Sequence, residues 1–144
     1  MTLLELITDA AQQLTDAGVA FGHGTTNAFD EAAWLVLWQL GLPFDSSLAD
    51  PAQDDTSVAN QAVTPEQRAQ AATLLIARIS SRKPAAYLTR EAWLQGVPFY
   101  VDERTIVPRS FIAALIADGG FDAWLGEDTT RVLDLCTGNG SLAV

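Results

Sequence analysis

The chain has 144 residues, 49% apolar and 18% charged, which is about the size of one domain and too apolar for a disordered protein. Its 18 acidic and 8 basic residues give a formal net charge of −10, which argues against a nucleic-acid binder, because phosphate contacts need an excess of Lys and Arg. A single cysteine and a single histidine exclude an intrachain disulfide framework and a cysteine- or histidine-rich metal site.

The N-terminus has no basic start of the kind that signal peptides carry. The longest apolar run, residues 32–42, is far shorter than the roughly 20 residues that span a bilayer. We therefore expect a soluble, cytoplasmic protein without a membrane partner.

The first two predicted helices lie within residues 1–41. Thr2 followed by Glu5 is a capping box that predicts a helix start, and Gly18 is a natural stop for that helix. The second helix is predicted over residues 28–40, with Asn27 as its N-cap and Gly41 just past its end. It is apolar on nearly every face, which is typical of the central helix of a small bundle.

A polar, acidic connection over residues 43–62 separates these helices from a third, and it has room for at most one short helix. Thr64, Pro65 and Gln67 form a strong start signal: a cap, a proline at the first helical position and a closing amide. The helix must end before Pro84. Residues 1–83 are therefore predicted to form an all-helical bundle.

The pattern changes after residue 84. Residues 88–101 predict a β-hairpin around the glycine turn at Gly96, and residues 104–107 predict a short extended segment. Ser110 can cap a further helix, which Gly119 and Gly120 interrupt. Residues 131–135 form a short, nearly all-apolar run, which predicts a strand buried on both faces, as in a parallel α/β sheet.

This predicted strand ends in Asp134 and is followed by Cys136, Thr137, Gly138, Asn139 and Gly140, with a helix expected to start at Ser141. The two glycines permit a tight turn and a close approach of the backbone to a ligand. A turn between the carboxyl end of a strand and a helix N-terminus is where α/β folds bind nucleotides. There is no Gly-Lys-Ser/Thr of a phosphate loop, and the third glycine of a dinucleotide fingerprint is missing.

The segment resembles motif I of class I S-adenosylmethionine methyltransferases, Asp/Glu-x-Gly-x-Gly-x-Gly, with Cys136 at the first glycine position. Upstream, Lys83-Pro84-Ala-Ala-Tyr87, the run Trp93-Leu-Gln-Gly-Val-Pro-Phe-Tyr-Val101 and Val107-Pro-Arg-Ser110 resemble the HemK-type glutamine N5-methyltransferases. Phe-Tyr-Val-Asp-Glu-Arg over residues 99–104 and Asp-Leu-Cys-Thr-Gly over residues 134–138 are similar to the PrmB-like branch, which modifies a large-subunit ribosomal protein. The resemblance is strong from Arg82 to Val144.

The resemblance implies a mainly α chain: a helical substrate-recognition domain over residues 1–83, a hairpin linker over 84–109, and the first strand of a Rossmann-like methyltransferase core over 110–144. It implies S-adenosylmethionine as the cofactor and a ribosomal or other basic protein as the partner. The implied cofactor-binding residues are Asp134, Cys136, Thr137, Gly138, Asn139, Gly140 and Arg109, and no metal site is implied.

The Asn-Pro-Pro-Tyr motif that carries catalysis in this family does not occur in the 144 residues. We therefore expect a truncated N-terminal part of such an enzyme, without catalytic residues, inactive by itself and with little or no affinity for the cofactor. The predicted strand at residues 131–135 would have no neighbour, so we expect it to be disordered, abnormally packed or paired with another chain.

Two other functions remain open: a non-catalytic acidic helical module that binds a basic protein, and a methyltransferase acting on a release factor or on nucleic acid. Several side chains are expected to be structural rather than functional. His23 is expected to be exposed in its loop, Trp34 and Trp38 to pack in the core, and Cys136 to be a buried thiol. Aromatic residues of the hairpin region are expected to pack inward: Tyr87, Phe99 and Tyr100.

Overall fold

The computed structural model describes residues 1–143 and is mainly helical. Its elements are α1 (Leu3–Asp16), α2 (Ala28–Leu40), α3 (Pro65–Ser81), α4 (Ala85–Thr89), β1 (Glu91–Leu94), β2 (Val97–Tyr100) and α5 (Phe111–Ala117). The chain divides into two units, Met1–Thr89 and Arg90–Val144. Within the described residues, no helix is long and apolar enough to cross a membrane.

The predicted caps of α1 and α3 are confirmed as reciprocal pairs of hydrogen bonds. The Thr2 amide donates to Glu5 Oε2 at 2.8 Å, and the Glu5 amide donates back to Thr2 Oγ1 at 3.2 Å. At α3 the Thr64 amide donates to Gln67 Oε1 at 2.9 Å, and the Gln67 amide donates to Thr64 Oγ1 at 3.2 Å. Each box satisfies donors that a helix start otherwise leaves without partners.

Helix α2 is central in the first unit, as its sequence predicts, and it packs against α1, α3 and α4. It begins at the Asn27 cap and ends at Gly41, whose left-handed φ of 66° lets the chain turn away. Trp34 packs at the edge of the core, with its ring 6.0 Å from that of Phe44. The fully buried core side chains come from α1 and α2 above all: Leu3, Ile7, Leu14, Ala32, Leu35, Val36 and Leu37.

A buried ion pair joins α2 to α3. Arg78 Nε donates to Glu31 Oε1 at 2.7 Å, and both side chains are only 2% exposed. The second Glu31 oxygen accepts from the Thr25 hydroxyl at 3.0 Å, and Arg78 Nη2 donates to the Ala20 carbonyl at 2.9 Å. The pair therefore also fixes the loop between α1 and α2.

The acidic connection between α2 and α3 contains turns and no helix, in keeping with its sequence. Its end is tied to the start of α1, where the Leu3 amide donates to the Gln61 carbonyl at 2.9 Å and the Leu4 amide donates to the Ala59 carbonyl at 3.0 Å. Asp54 accepts from the Thr56 hydroxyl at 2.6 Å. Hydrogen bonds from Ser47 and Thr56 lower the pKa of this carboxyl.

The hairpin is confirmed, but its first strand starts at Glu91 and not at Leu88, because residues 85–89 form the unpredicted helix α4. β1 and β2 are antiparallel, with Glu91 opposite Tyr100 and Trp93 opposite Pro98. The turn residues Gln95 and Gly96 have φ values of 50° and 76°. A two-residue turn in which both residues have left-handed φ has a backbone twist that matches the right-handed twist of the two strands it joins.

The predicted helix after Ser110 is confirmed as α5, capped by the Ser110 hydroxyl and closed by the Gly120 amide, which donates to the Leu115 carbonyl at 2.7 Å. The stretch of residues 104–107 is irregular and forms no strand. Tyr100 is 60% exposed, so its predicted inward packing is wrong, whereas Phe99 and Tyr87 are half-buried.

The strand predicted over residues 131–135 is wrong: these residues form no regular structure. Val132, Leu133 and Leu135 are 84%, 78% and 75% exposed. A strand needs a neighbour to pair its backbone groups, and the described part of the chain contains no sheet other than the β1–β2 hairpin. The helix expected from Ser141 is likewise replaced by a turn over the described residues, and Val144 lies outside them.

The buried ion pair generates the first prediction. Replacing Arg78 by Met leaves the Glu31 carboxylate buried without its cation, so we expect the free energy of unfolding to fall by roughly 3–5 kcal/mol. The double change Glu31→Leu with Arg78→Met removes both charges and should recover at least about 2 kcal/mol of that loss. Urea unfolding monitored by helical circular dichroism measures both values.

Arg68→Met is the matched control, because Arg68 lies on the same helix but is exposed. We expect this control to change the free energy of unfolding by less than about 0.5 kcal/mol. Equal losses for the Arg68 and Arg78 variants would contradict a specific role for the buried pair.

The second prediction concerns Asp102, just after the hairpin. Arg104 Nη2 and Nε donate to its carboxylate at 2.6 and 2.9 Å, and the Arg104 amide donates at 3.0 Å. These bonds, chiefly those from the side chain, lower the pKa of Asp102 from 3.8 to about 2. The stabilisation they give is therefore present above pH 3.8 and is lost as the pH falls through about 2.

Carboxyl-carbon NMR titration should show this low pKa in the wild-type chain. In Arg104→Ala the side-chain bonds are gone, so we expect the pKa of Asp102 to move back toward 3.8. Tyr100→Phe removes only a weak 3.3 Å bond from the phenol and should move this pKa much less. An unchanged pKa in Arg104→Ala would contradict the assignment.

Candidate functional site

The predicted cofactor loop, residues 134–140, lies in the second unit and is built from two consecutive turns. The Gly140 amide donates to the Thr137 carbonyl at 2.9 Å, and the Ala143 amide donates to the Gly140 carbonyl at 3.0 Å. Asn139 Oδ1 accepts from the Ser141 amide at 3.3 Å. The loop is thus closed by short-range hydrogen bonds within residues 137–143.

Three alternate residues of this loop have left-handed backbone conformations. The φ values are 61° for Cys136, 60° for Gly138 and 82° for Gly140. A Cβ on Gly138 would approach only Ile106 Cγ2, at 4.0 Å, and one on Gly140 would meet nothing within 4 Å. The left-handed backbone conformation, and not a lack of space for a side chain, therefore explains why glycine occupies positions 138 and 140.

Cys136 occupies the first glycine position of the family motif and adopts the conformation that glycine prefers. A side chain there costs about 1–2 kcal/mol relative to glycine. Left-handed residues that alternate with right-handed ones can form a concave row of backbone N–H groups, which binds anionic or polar ligand groups. In this loop the Gly140 amide is already bonded to the Thr137 carbonyl.

Two buried polar atoms of the loop have no hydrogen-bond partner in the described chain: Asp134 Oδ2 and Asn139 Nδ2. One is an acceptor and the other a donor, and buried polar groups normally have partners. S-adenosylmethionine carries ammonium and hydroxyl donors as well as carboxylate and ring-nitrogen acceptors. The two unpaired atoms therefore fit a ligand of this chemistry.

The other predicted site residues lie in different surroundings. The Cys136 thiol is exposed, so the prediction of a buried thiol is wrong. Arg109 is exposed between the buried Pro108 and the N-cap Ser110, and its place beside a cofactor stays a prediction. His23 is exposed in its loop, as expected.

Sequence reasoning missed Ile106 as a neighbour of the loop. It is 61% exposed, and its Cγ2 is the atom nearest to a side chain that would be placed on Gly138. Its position two residues before the Pro-Arg element is the signal that could have suggested it. Among residues 1–143, no group of three or more His, Cys, Asp or Glu side chains could hold a metal ion.

Comparison with known proteins gives the class that these motifs indicate. No protein-family model matches the chain. Curated relatives named ribosomal protein uL3 glutamine methyltransferase match 99% of it: 47% identity in Bordetella pertussis, 43% in Burkholderia pseudomallei and 42% in Xanthomonas campestris. The chain spans 46%, 44% and 44% of the length of these three relatives.

The resemblance read from the motifs is thus confirmed: over 99% of its length this chain is similar to proteins named ribosomal protein uL3 glutamine methyltransferase, which are PrmB-like proteins of the HemK family. The names of these relatives specify ribosomal protein uL3 as the protein that they modify. The matches include the helical first unit, where the sequence motifs alone gave no resemblance.

The third prediction follows from the conformation of Cys136. Cys136→Gly removes the energetic cost of holding a side chain at left-handed φ, but it increases the conformational entropy of the unfolded chain. We therefore expect a gain of up to about 1 kcal/mol in the stability of the loop. Cys136→Val should lose at least about 1 kcal/mol, because a branched side chain tolerates positive φ poorly. Amide hydrogen exchange of residues 134–140 measures the opening free energy, and less protection in the Gly variant than in the Val variant would contradict the assignment.

Proposed function

We propose that this chain is the N-terminal part of an S-adenosylmethionine-dependent methyltransferase that modifies a glutamine side-chain amide in a large-subunit ribosomal protein of the uL3 type. The observation that carries the proposal is identity of 40–47% over nearly all 144 residues to relatives named for that activity. The ligand loop at residues 134–140 supports it independently. We place the reaction in the cytoplasm, where ribosomal proteins are made.

We propose that the loop forms one wall of the cofactor site. S-adenosylmethionine, when bound, supplies an electrophilic methyl group. Asp134 Oδ2 accepts a hydrogen bond from a ligand donor, Asn139 Nδ2 donates to a ligand acceptor, and the amides of residues 136–139 face a negative or polar group. Thr137 adds a hydroxyl between the left-handed positions, and Arg109 borders the same site. In this role the residues hold and orient the cofactor.

A glutamine amide nitrogen is a poor nucleophile because its lone pair is delocalised into the carbonyl. Methyl transfer to it therefore depends on alignment of nitrogen, methyl carbon and sulfur, which positioning groups provide. The Asn-Pro-Pro-Tyr motif that does this in the family does not occur in these 144 residues. We therefore propose that the 144-residue chain by itself neither transfers methyl groups nor binds the cofactor tightly.

We propose that the helical unit recognises the protein substrate. No Lys or Arg precedes Arg68, whereas ten acidic residues do: Glu5, Asp9, Asp16, Asp30, Glu31, Asp45, Asp50, Asp54, Asp55 and Glu66. Only Glu31 among these is buried and neutralised by an ion pair. The surface of this unit is therefore strongly negative, which steers a basic protein toward it and raises the association rate.

A second candidate function is a non-catalytic acidic module that binds a basic protein. The same charge distribution favours it, and the helical unit has a core of its own. The two candidates differ in whether a longer polypeptide transfers methyl groups. The net charge of −10 disfavours a nucleic-acid substrate. A release factor is a further possible protein substrate, and the assay described next can test it.

The assay compares the 144-residue chain with the product of the complete open reading frame. Each is mixed with purified uL3 and S-adenosylmethionine carrying a labelled methyl group, and peptide mass spectrometry locates the added methyl group. We expect a glutamine methylated by the longer product and no transfer by the 144-residue chain. Transfer to a release factor instead, or turnover by the 144-residue chain, would contradict the proposal.

The fourth prediction tests recognition separately. Asp45→Asn with Asp55→Asn removes two exposed charges from the helical unit and should weaken binding of fluorescently labelled uL3 several-fold at low salt. Glu127→Gln with Asp128→Asn is the matched control, because it removes two exposed charges from the other unit. Equal weakening by both pairs would show that net charge alone, and not the helical unit, governs binding.

A further inference from the structure

The first unit contains a cavity of about 230 Å³, which we call the anchor cavity. Because α1 packs less closely on α3 than on α2, the cavity opens between α1 and α3. Its walls are buried apolar side chains from all three helices: Leu6, Ala10, Leu35, Val36, Ala71 and Leu75. The anchor cavity is therefore formed wholly within the unit Met1–Thr89, which has its own core.

Polar side chains surround the mouth of the anchor cavity. Asp9 and Gln13 lie on the α1 side and Arg68 lies on the α3 side, and all three are exposed. Within residues 1–143, the Asp9 and Arg68 side chains form no ion pair with each other and no hydrogen bond. Their hydrogen-bonding groups are therefore available to a molecule that enters the mouth.

A second, more open cleft continues from this mouth along the start of α3. It has a volume of about 460 Å³ and shares Met1, Arg68 and Ala72 with the anchor cavity as lining residues. Its other walls are the backbone and side chains of residues 63–65 and Ala69. The cavity and the cleft together form one groove, which suits an extended peptide better than a compact small molecule.

The size and lining of the anchor cavity indicate what enters it. An apolar cavity of about 150 Å³ in a protein core is large enough to bind benzene. The anchor cavity therefore has room for one leucine, methionine or phenylalanine side chain. Its apolar walls offer water few hydrogen-bond partners, so an apolar side chain that displaces water from it is stabilised.

The charge beside the mouth indicates what flanks that side chain. Glu5, Asp9 and Asp16 are separated by four and seven residues, so they lie along one face of α1. All three are exposed. This face, together with the lack of any Lys or Arg before Arg68, favours an occupant with basic residues.

We propose that the groove docks a basic segment of the protein substrate. One apolar side chain of the segment fills the anchor cavity, and flanking Lys or Arg side chains lie along the acidic face of α1. Arg68 donates to a carbonyl of the segment on the α3 side. A buried apolar anchor inside a charged rim is the usual anatomy of a binding hot spot. This inference rests on the proposal that the helical unit recognises a basic protein, and it identifies the surface that does so.

The first experiment uses the 144-residue chain and synthetic peptides. Each peptide has two lysines on either side of a central leucine, methionine or phenylalanine, and the control peptide has a central serine. We expect at least one apolar peptide to shift the methyl NMR signals of Leu6, Leu35 and Leu75, and the serine peptide to leave them unchanged. Equal shifts with all four peptides, or no shift up to millimolar concentration, would overturn the inference.

Two variants of α3 test whether the anchor cavity is the site of these shifts. Ala72→Trp places a large ring at the mouth, because Ala72 is exposed and lines both the cavity and the cleft, and it should abolish the shifts. Gln70→Trp is the matched control, since Gln70 is exposed on the same helix but lines neither. Equal binding by the two variants would contradict docking in the cavity.

The second experiment measures methylation of uL3 by the product of the complete open reading frame. Ala72→Trp should raise KM for uL3 by at least about fivefold and leave kcat nearly unchanged, because the anchor contributes to binding alone. Asp9→Lys should also raise KM, and less so at high salt because the charges are then screened. Gln70→Trp should behave as wild type. Circular dichroism checks that each variant is folded.

The outcomes separate this inference from the proposed function. Methylation of uL3 with an unchanged KM in Ala72→Trp and Asp9→Lys would overturn the docking groove and leave the proposed function intact. Absence of methyl transfer from the complete product would overturn the proposed function, and the peptide experiment would still decide the groove. Peptides that bind the 144-residue chain but not the complete product would show that the rest of the polypeptide covers the cavity, which would also overturn the inference.

Discussion

The buried pair of Glu31 and Arg78 is the interaction on which the first unit depends. Two charges removed from water are costly unless each finds partners, and here each charge has two: Glu31 accepts from Arg78 and Thr25, and Arg78 donates to Glu31 and the Ala20 carbonyl. These partners lie on α2, α3 and the loop between α1 and α2, so the network ties the three together. Arg78 Nη1 is buried without a hydrogen-bond partner within the described residues. The apolar contacts supply stability, and the pair supplies a unique arrangement.

The second unit is organised by local backbone geometry. Its hairpin closes through the left-handed residues Gln95 and Gly96, and its loop at residues 134–140 contains the left-handed residues Cys136, Gly138 and Gly140. No buried polar network comparable to that of Glu31 and Arg78 links its described elements, and much of its apolar surface faces water. An acidic unit with a continuous apolar core thus precedes a loop that is held by short-range hydrogen bonds.

Sequence reasoning succeeded where structure is determined by near neighbours. The caps at Thr2, Asn27 and Thr64, and the stop at Gly41, follow from contacts over three or four residues, and all were predicted correctly. It failed where partners are distant. The ion pair joins residues 47 positions apart, and Glu31 looks in the sequence like an ordinary acidic residue near a helix start.

Two further failures have related causes. The run at residues 131–135 has the composition of a buried strand, but composition does not supply the neighbour that a strand needs. Helix α4 was not predicted, because five residues are too few to show the apolar periodicity of a helix. For the candidate site, the motif predicted which residues form the loop but not the left-handed conformation or the exposure of Cys136.

The distribution of basic residues also determines where the chain is open to proteases and to chemical modification. Trypsin has no cleavage site before Arg68, and Arg78 is shielded inside the bundle. Exposed sites at Arg82 and Arg90 lie near the boundary between the two units in the sequence, whereas Pro84 protects the bond after Lys83. Lys83 is moreover the chain's single lysine. Enzymes that modify lysine side chains therefore have one target, Lys83, which precedes that boundary in the sequence.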